Sequence, residues 1–234
     1  DFSMDYGKTF SHPIRVNPDD MSIHAWDENP PTLAVDRNGR LYVLFFANDR
    51  QSSTSFFSHS DNGEQFSTPV KISSEANSWY HYQTEMLVNA ADRVHFAWHD
   101  TRDRAEYKRE GGGDLSIFHT AARTGKVITL PTEQRLAKNI CSCCRTAMAE
   151  DINGDLVILA RYVYRGNIRD HGLFKLSPDG NLNEPWRVTF DDWQIEGCPS
   201  QGPALSISQN GRYHITWFTQ GEKRSGLFYA SSDD

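Results

Sequence analysis

One pattern occurs four times along this chain and limits its fold more than any other feature. It spans residues 31–46 (PTLAVDRNGRLYVLFF), 84–99 (TEMLVNAADRVHFAWH), 146–161 (TAMAEDINGDLVILAR) and 203–218 (PALSISQNGRYHITWF). Each copy alternates apolar and other residues, breaks at a polar turn, and alternates again. A period of two on both sides of a turn is the mark of strand, hairpin and strand. Asn38-Gly39, Asn153-Gly154 and Asn210-Gly211 sit at three of the turns, and Ala91-Asp92 at the other. Asn-Gly favours the positive φ that tight hairpins need. A hairpin repeated at this spacing implies an array of similar all-β units, each burying its faces against its neighbours.

A second motif repeats out of phase with the hairpins. Residues 3–10 (SMDYGKTF) fit S-x-D-x-G-x-x-F/W in full, residues 59–66 (HSDNGEQF) keep the Asp, Gly and Phe, and Ser177–Gly180 and 231–234 (SSDD) keep only the start. This motif resembles the Asp box, or BNR repeat, of the sialidase superfamily of β-propellers. The resemblance implies an all-β propeller of four-stranded blades, with each box at the turn between third and fourth strands. The Asp would accept backbone N–H bonds and the Gly would take a conformation closed to other residues. The phase at the two ends implies about four blades in residues 1–234, one divided between the ends; either the ends meet and close a small ring, or, as the six blades implied by the resemblance favour, this is a single incomplete domain of a longer propeller. Residues 12–17 are then expected to form a fourth strand, and residues 226–230 a third strand.

The same phase sorts residues by face. Connections into the first strand of a blade, and from its second strand to its third, point to the face that holds the ligand in sialidase-like propellers. There lie Trp26, Asp27 and Glu28; Trp79, Tyr80 and His81; Cys141, Cys143, Cys144 and Arg145; and Trp193 and Cys198. Between second and third strands lie Asp100, Arg102, Arg161, Tyr164, Arg165, Arg169, Asp170 and His171. Trp, Cys and Arg gathered in loops on a rigid scaffold point to binding chemistry.

The thiols allow three readings. Two to four thiolates, with His81 or His171, would hold copper or zinc. Alternatively, Cys198 pairs with one of the clustered cysteines and ties two blades together. Or one thiol is a nucleophile activated by a guanidinium such as that of Arg145. In each case Cys198 is expected beside the Cys141–Cys144 cluster, because both precede the first strand of consecutive blades.

Arg102, Arg161, Arg165 and Arg169 could converge on a small anionic ligand, flanked by Asp100, Asp170, Trp26 and Trp193. The structural alternative pairs Arg161 and Arg169 with Asp170 and Asp100 as a buried network. Sialidases need a tyrosine nucleophile paired with a glutamate, and an aspartate acid; Tyr162, Tyr164, Glu28 and Asp100 are the candidates. The sialidase F/Y-R-I-P signature is absent, which argues against hydrolysis. Trp98 and Trp217, at equivalent second-strand positions, read as blade core.

A net charge of −7 argues against nucleic acid as a partner. No apolar run reaches the ~18 residues of a membrane span. The expectation is a periplasmic or secreted propeller binding a soft metal ion or small anion without hydrolysing it. The alternatives are a sialidase-type hydrolase of acidic sugars, and a docking subunit whose open blade edges take a protein partner.

Overall fold

The computed structural model describes residues 3, 5–25, 29–48, 53–74, 81–105, 115–125, 127–131 and 133–233. Its strands fall into four antiparallel sheets in chain order. The first holds β1 (Ser22–Ile23), β2 (Thr32–Val35), β3 (Leu41–Asn48), β4 (Ser53–Ser60) and β5 (Val70–Lys71). The second holds β6 (His81–Val88), β7 (Arg93–Asp100), β8 (Leu115–Arg123) and β9 (Gln134–Ile140). The third holds β10 (Ala147–Glu150), β11 (Leu156–Arg161), β12 (His171–Leu176) and β13 (Trp186–Arg187). The fourth holds β14 (Ala204–Ile207), β15 (Tyr213–Gln220) and β16 (Ser225–Ser232). Each is an up-and-down meander, and the strands that begin successive blades, β2, β6, β10 and β14, contact one another in that order. Residues 12–17 form no strand; the first sheet is instead extended by β1, which pairs with the far end of β3.

The core lies between blades, and β11 shows why its sequence is apolar throughout. Leu156, Ile158 and Ala160 pack against Ile117 and Leu136 of the second blade. Val157 and Leu159, on the opposite face, pack against Ile215 and Trp217 of the fourth. A strand covered on both faces loses the alternation of a half-exposed one. In β15 the alternation survives, with every second residue buried and the others more exposed. Trp98 and Trp217 are core, each bonding an aspartate through its indole N–H: Asp100 at 3.0 Å and Asp191 at 2.7 Å. Between the first two blades, Tyr42, Leu44 and Phe57 meet Phe96, Trp98 and Phe118.

The hairpin turns differ from the Asn-Gly expectation in one respect. Positive φ falls on Gly39, Gly154 and Gly211 (80°, 80° and 86°) and not on the Asn before each. These are three-residue loops ending in the left-handed region, where Gly carries no steric penalty. In the second blade Asp92 takes that place at φ 55°. An Asx side chain opens three of the turns. Asp36 Oδ1 accepts the N–H groups of Asn38 and Arg40, Asn89 Oδ1 those of Ala91 and Arg93, and Asp151 Oδ1 those of Asn153 and Asp155, all at 2.9–3.1 Å.

The out-of-phase motif is held in more than one way. Asp5 Oδ1 accepts the N–H groups of Lys8 (3.1 Å) and Thr9 (2.9 Å), with Gly7 at φ 82°. In the second copy Asp61 faces Arg40 instead, and the turn is closed by Gly63 N–H to Ser60 Oγ (2.8 Å) and Glu64 N–H to Asn62 Oδ1 (2.9 Å).

Candidate functional site

Cys141 follows β9 and Cys144 precedes β10, so both lie in the short link between the second and third blades. Cys198 lies in the segment before β14. Because β10 and β14 are neighbouring first strands, the two segments meet as the phase required. Cys143 and Cys198 form a disulfide, with Cα atoms 6.0 Å apart. The contact between the segments is close. A side chain at Gly202 would overlap the Arg145 backbone, its Cβ lying 2.7 Å from the Arg145 carbonyl oxygen. Glycine is required there because the two backbones approach each other.

Cys141 and Cys144 remain free thiols and are buried. Their sulfurs are 3.5 Å apart, and Cys141 Sγ is 3.9 Å from Cys143 Sγ. Arg169 Nη1 donates to Cys141 Sγ at 3.3 Å and is itself oriented by Nε donation to Asn167 Oδ1 at 3.0 Å. A hydrogen bond from Cys144 and the Arg169 charge bring the Cys141 thiol down to about 6 against the opposing effect of burial. Cys144, donating that bond and lying beside a developing negative charge, is pushed up. Of the two sulfurs, Cys141 is therefore the one that ionises first. Of the guanidinium groups that could stand beside the thiol, Arg145 or a neighbour, the one that does is Arg169.

The backbone around the sulfurs is strained. Among the described non-glycine residues with positive φ, Asn139 (61°) lies two residues before Cys141, Asn167 (59°) orients Arg169, and Ser200 (49°) bonds Cys143. Such conformations cost free energy and persist where surrounding structure enforces them. The Ser200 N–H donates to Cys143 Sγ at 3.4 Å.

Other expected site residues have different surroundings. Arg161 is fully buried, 1% exposed, and its donors go to backbone carbonyls: Arg169 O (2.7 Å), Phe218 O (2.8 Å) and Gln201 O (3.1 Å). It lies over the buried Trp193 ring at 5.0 Å. Arg102 pairs with Asp100 (2.7 Å) and Glu133 (3.3 Å) and stacks on Phe118. Asp170 pairs with Arg187 and accepts the N–H of Asp192 (3.1 Å). The buried arginine–aspartate network thus exists, but its pairs are Arg102–Asp100 and Arg187–Asp170. Arg187, which also pairs with Asp192, was not legible in the sequence; only the pairing of Gly172 with Arg187 brings it beside Asp170. Arg165 is exposed at the tip of the loop between β11 and β12.

Among the described residues, the metal-ligating donor atoms grouped within 4.8 Å of one another are those of Cys141, Cys143 and Cys144. His171 is not among them. Its ring is buried, with Nδ1 3.3 Å from Thr189 Oγ1, and burial with the nearby Arg161 charge holds it neutral. Cys198 is outside the set, and Cys143, though within it, is spent in the disulfide to Cys198, which leaves Cys141 and Cys144 as the free thiols. Trp26, Glu28, Trp79 and the His81 side chain lie outside the described residues. Of the sialidase-type candidates, Tyr162 is buried and its phenol is held well above the ordinary range, while burial pushes Tyr164 up to about 12. Asp100 is committed to Arg102 and Trp98.

No family model and no curated protein sequence matches this chain. Solved structures do. A protein of unknown function from Dyadobacter fermentans matches with a TM-score of 0.55 at 15% identity, over 92% of this chain and 69% of that one. The Hadza microbial sialidase Hz136 matches with a TM-score of 0.58 at 11% identity, over 92% of this chain and 44% of the sialidase. An α-L-arabinanase from Penicillium chrysogenum, complexed with arabinobiose, matches with a TM-score of 0.54 at 12% identity, over 86% of this chain and 60% of that one. This chain therefore spans about half the length of those two enzymes. At such identities the likeness shows the fold alone, a β-propeller, and leaves the chemistry to the residues.

Proposed function

We propose that this sialidase-like propeller is an extracytoplasmic binding protein whose loop face takes a soft metal ion on the thiolates of Cys141 and Cys144. The observation that carries the reading is a pair of buried thiols with sulfurs 3.5 Å apart, set against a guanidinium. At ~2.3 Å per metal–sulfur bond, two thiolates stand ~3.7 Å apart about a tetrahedral ion and ~4.6 Å apart about a linear one. The observed 3.5 Å spacing is close to the first, whereas a linear ion requires the two sulfurs to move apart by ~1.1 Å. Sulfur ligands select soft ions, copper(I) or zinc. Charge favours copper(I). Two thiolates and a monovalent ion leave one negative charge, which Arg169 offsets, whereas a divalent ion would leave the guanidinium unopposed. The Cys143–Cys198 disulfide supports an oxidising compartment, periplasmic or secreted.

Titration of copper(I) against a colorimetric chelator tests this reading. About one ion per chain is expected, lost in Cys141→Ser and weakened in Arg169→Met. Equal affinity in wild type and Cys141→Ser would overturn it. Zinc binding with no copper(I) preference would keep the thiol site and reject the charge argument.

A second reading, glycoside hydrolysis of acidic or arabinose-type sugars, is favoured by the sialidase and arabinanase among the similar structures. Turnover of aryl sialosides or arabinosides would establish it. A small anion would meet Arg165 on the exposed loop. A protein partner would meet the last blade, where Leu227 and Tyr229 of β16 are exposed. Both belong with a domain that supplies about four blades of a larger ring.

A further inference from the structure

Metal binding does not use all four sulfurs, and their arrangement has a direction. The Cys143–Cys198 disulfide reaches the surface at Cys198, which is exposed, while the Cys141–Cys144 dithiol is buried behind it. Cys141 Sγ touches both halves, 3.5 Å from Cys144 and 3.9 Å from Cys143. We propose that the four cysteines form a thiol–disulfide relay, through which the buried dithiol reduces an external low-molecular-weight disulfide that never reaches it directly.

Each step is an attack of a thiolate on a disulfide sulfur. Cys141 attacks Cys143 Sγ; the 141–143 bond forms, the 143–198 bond breaks, and the electron pair leaves on Cys198. The exposed Cys198 thiolate attacks the external disulfide, forming a mixed disulfide and releasing the first external thiolate. Cys144, losing its proton to that thiolate, attacks Cys141 Sγ; the 141–144 bond forms and Cys143 leaves as thiolate. Cys143 then attacks Cys198 Sγ of the mixed disulfide, restoring the 143–198 bond and releasing the second external thiolate. Because Cys141 enters as thiolate, two electrons and the single proton of Cys144 end on the external pair, the second released thiolate takes its proton from water, and the protein gains a Cys141–Cys144 disulfide.

Polar groups stand beside the sulfurs that carry charge in turn. Arg169 Nη1 is 3.3 Å from the attacking Cys141. Ser142 Oγ is 3.9 Å from Cys198, the first leaving group. The Ser200 N–H is 3.4 Å from Cys143, the second. Charge placed next to oriented donors costs little reorganisation when it forms. The relay does not depend on the metal reading, and strong chelator separates the two.

The test uses the full chain, folded and metal-free in chelator, with glutathione disulfide as the external reagent. Released glutathione is counted, and disulfides are mapped after acid quench. Wild type should release about two glutathiones per chain, retain none, and show a new Cys141–Cys144 bond. Cys144→Ser keeps the native disulfide and should stop midway, releasing about one glutathione and holding the other on Cys198. The paired substitutions Cys143→Ser and Cys198→Ser, which leave the buried dithiol in place, should slow its oxidation at least about tenfold. Glutathione mapped to Cys141 or Cys144, or a dithiol oxidised as fast without the surface disulfide as with it, would overturn the proposal.

Discussion

Replacing Arg161 by methionine separates a ligand-binding arginine from one that fastens blades together. Arg161 sits at the end of β11, and its guanidinium reaches three carbonyls from three different segments. These are Arg169 in the following loop, Gln201 before β14, and Phe218 in β15. Methionine keeps much of the apolar stem and loses every donor. A buried carbonyl left without a partner costs ~1–3 kcal/mol. Removing the cation also removes its own desolvation cost, so the three losses do not sum in full. The net expected destabilisation is about 3–5 kcal/mol. For a chain of this size each kcal/mol moves the midpoint by about 2–4 °C, so thermal unfolding should shift down by roughly 10 °C. Arg161→Lys, able to reach fewer carbonyls, should fall between. The assay is unfolding of oxidised protein followed by near-ultraviolet circular dichroism, with denaturant titration as an independent measure. A variant within ~1 kcal/mol of wild type would refute the reasoning. It would return Arg161 to the anion-binding role that its position in the sequence suggests.

Stability should fall as pH drops from about 6.5 toward 4. Burial lowers His95 to about 4 and His99 and His119 to about 3, so in the folded state they stay neutral while the unfolded chain takes up protons. Their contribution is complete above the unfolded value and is lost at up to ~1.4 kcal/mol per pH unit for each histidine; urea midpoints unchanged between pH 7 and 5 would contradict it. Cys198→Ser opens the crosslink between residues 55 apart in sequence, and by loop entropy should cost about 4 kcal/mol or less, read as a lower urea midpoint. Asp151→Ala removes the acceptor for two turn N–H groups and for Tyr213 and Lys175, and should cost about 2–4 kcal/mol. Asp155→Ala, outside those side-chain contacts, should be near neutral in the same denaturation series.

The sequence showed blades and faces because both follow from local rules. Short apolar segments on either side of turn residues place the hairpins of residues 84–99 and 146–161 without reference to distant contacts. The meeting of Cys198 with the Cys141–Cys144 link was legible for the same reason: equivalent positions in consecutive repeats are neighbours in space. Partner choice was not legible. Nothing local tells Arg161 to seek three carbonyls, or Asp170 to take Arg187 rather than Arg169. Those choices depend on which strand lies alongside and how deep the group is buried. The four thiols likewise admitted a metal site, a bridge or a nucleophile until the distances separated a bonded pair from a free one. The Asx residues opening the turns stand at one repeat position, Asp36, Asn89 and Asp151, three residues before the position of positive φ.

The carboxylate of Asp151 imposes an order on assembly. Its Oδ1 closes a turn within its own blade, whereas its Oδ2 accepts the phenol of Tyr213 at 2.7 Å from a strand that begins more than fifty residues later. On a chain synthesised from the N-terminus, the third blade emerges with this oxygen held by Lys175 of β12 alone. It becomes fully engaged only when β15 arrives. Local chemistry therefore forms each hairpin early, and the handshake with the next one sets it. Damage to the fourth blade should be felt first as loosening of the Asp151 turn in the third, visible as faster amide exchange at Asn153 and Asp155, before any strand of the third blade is lost.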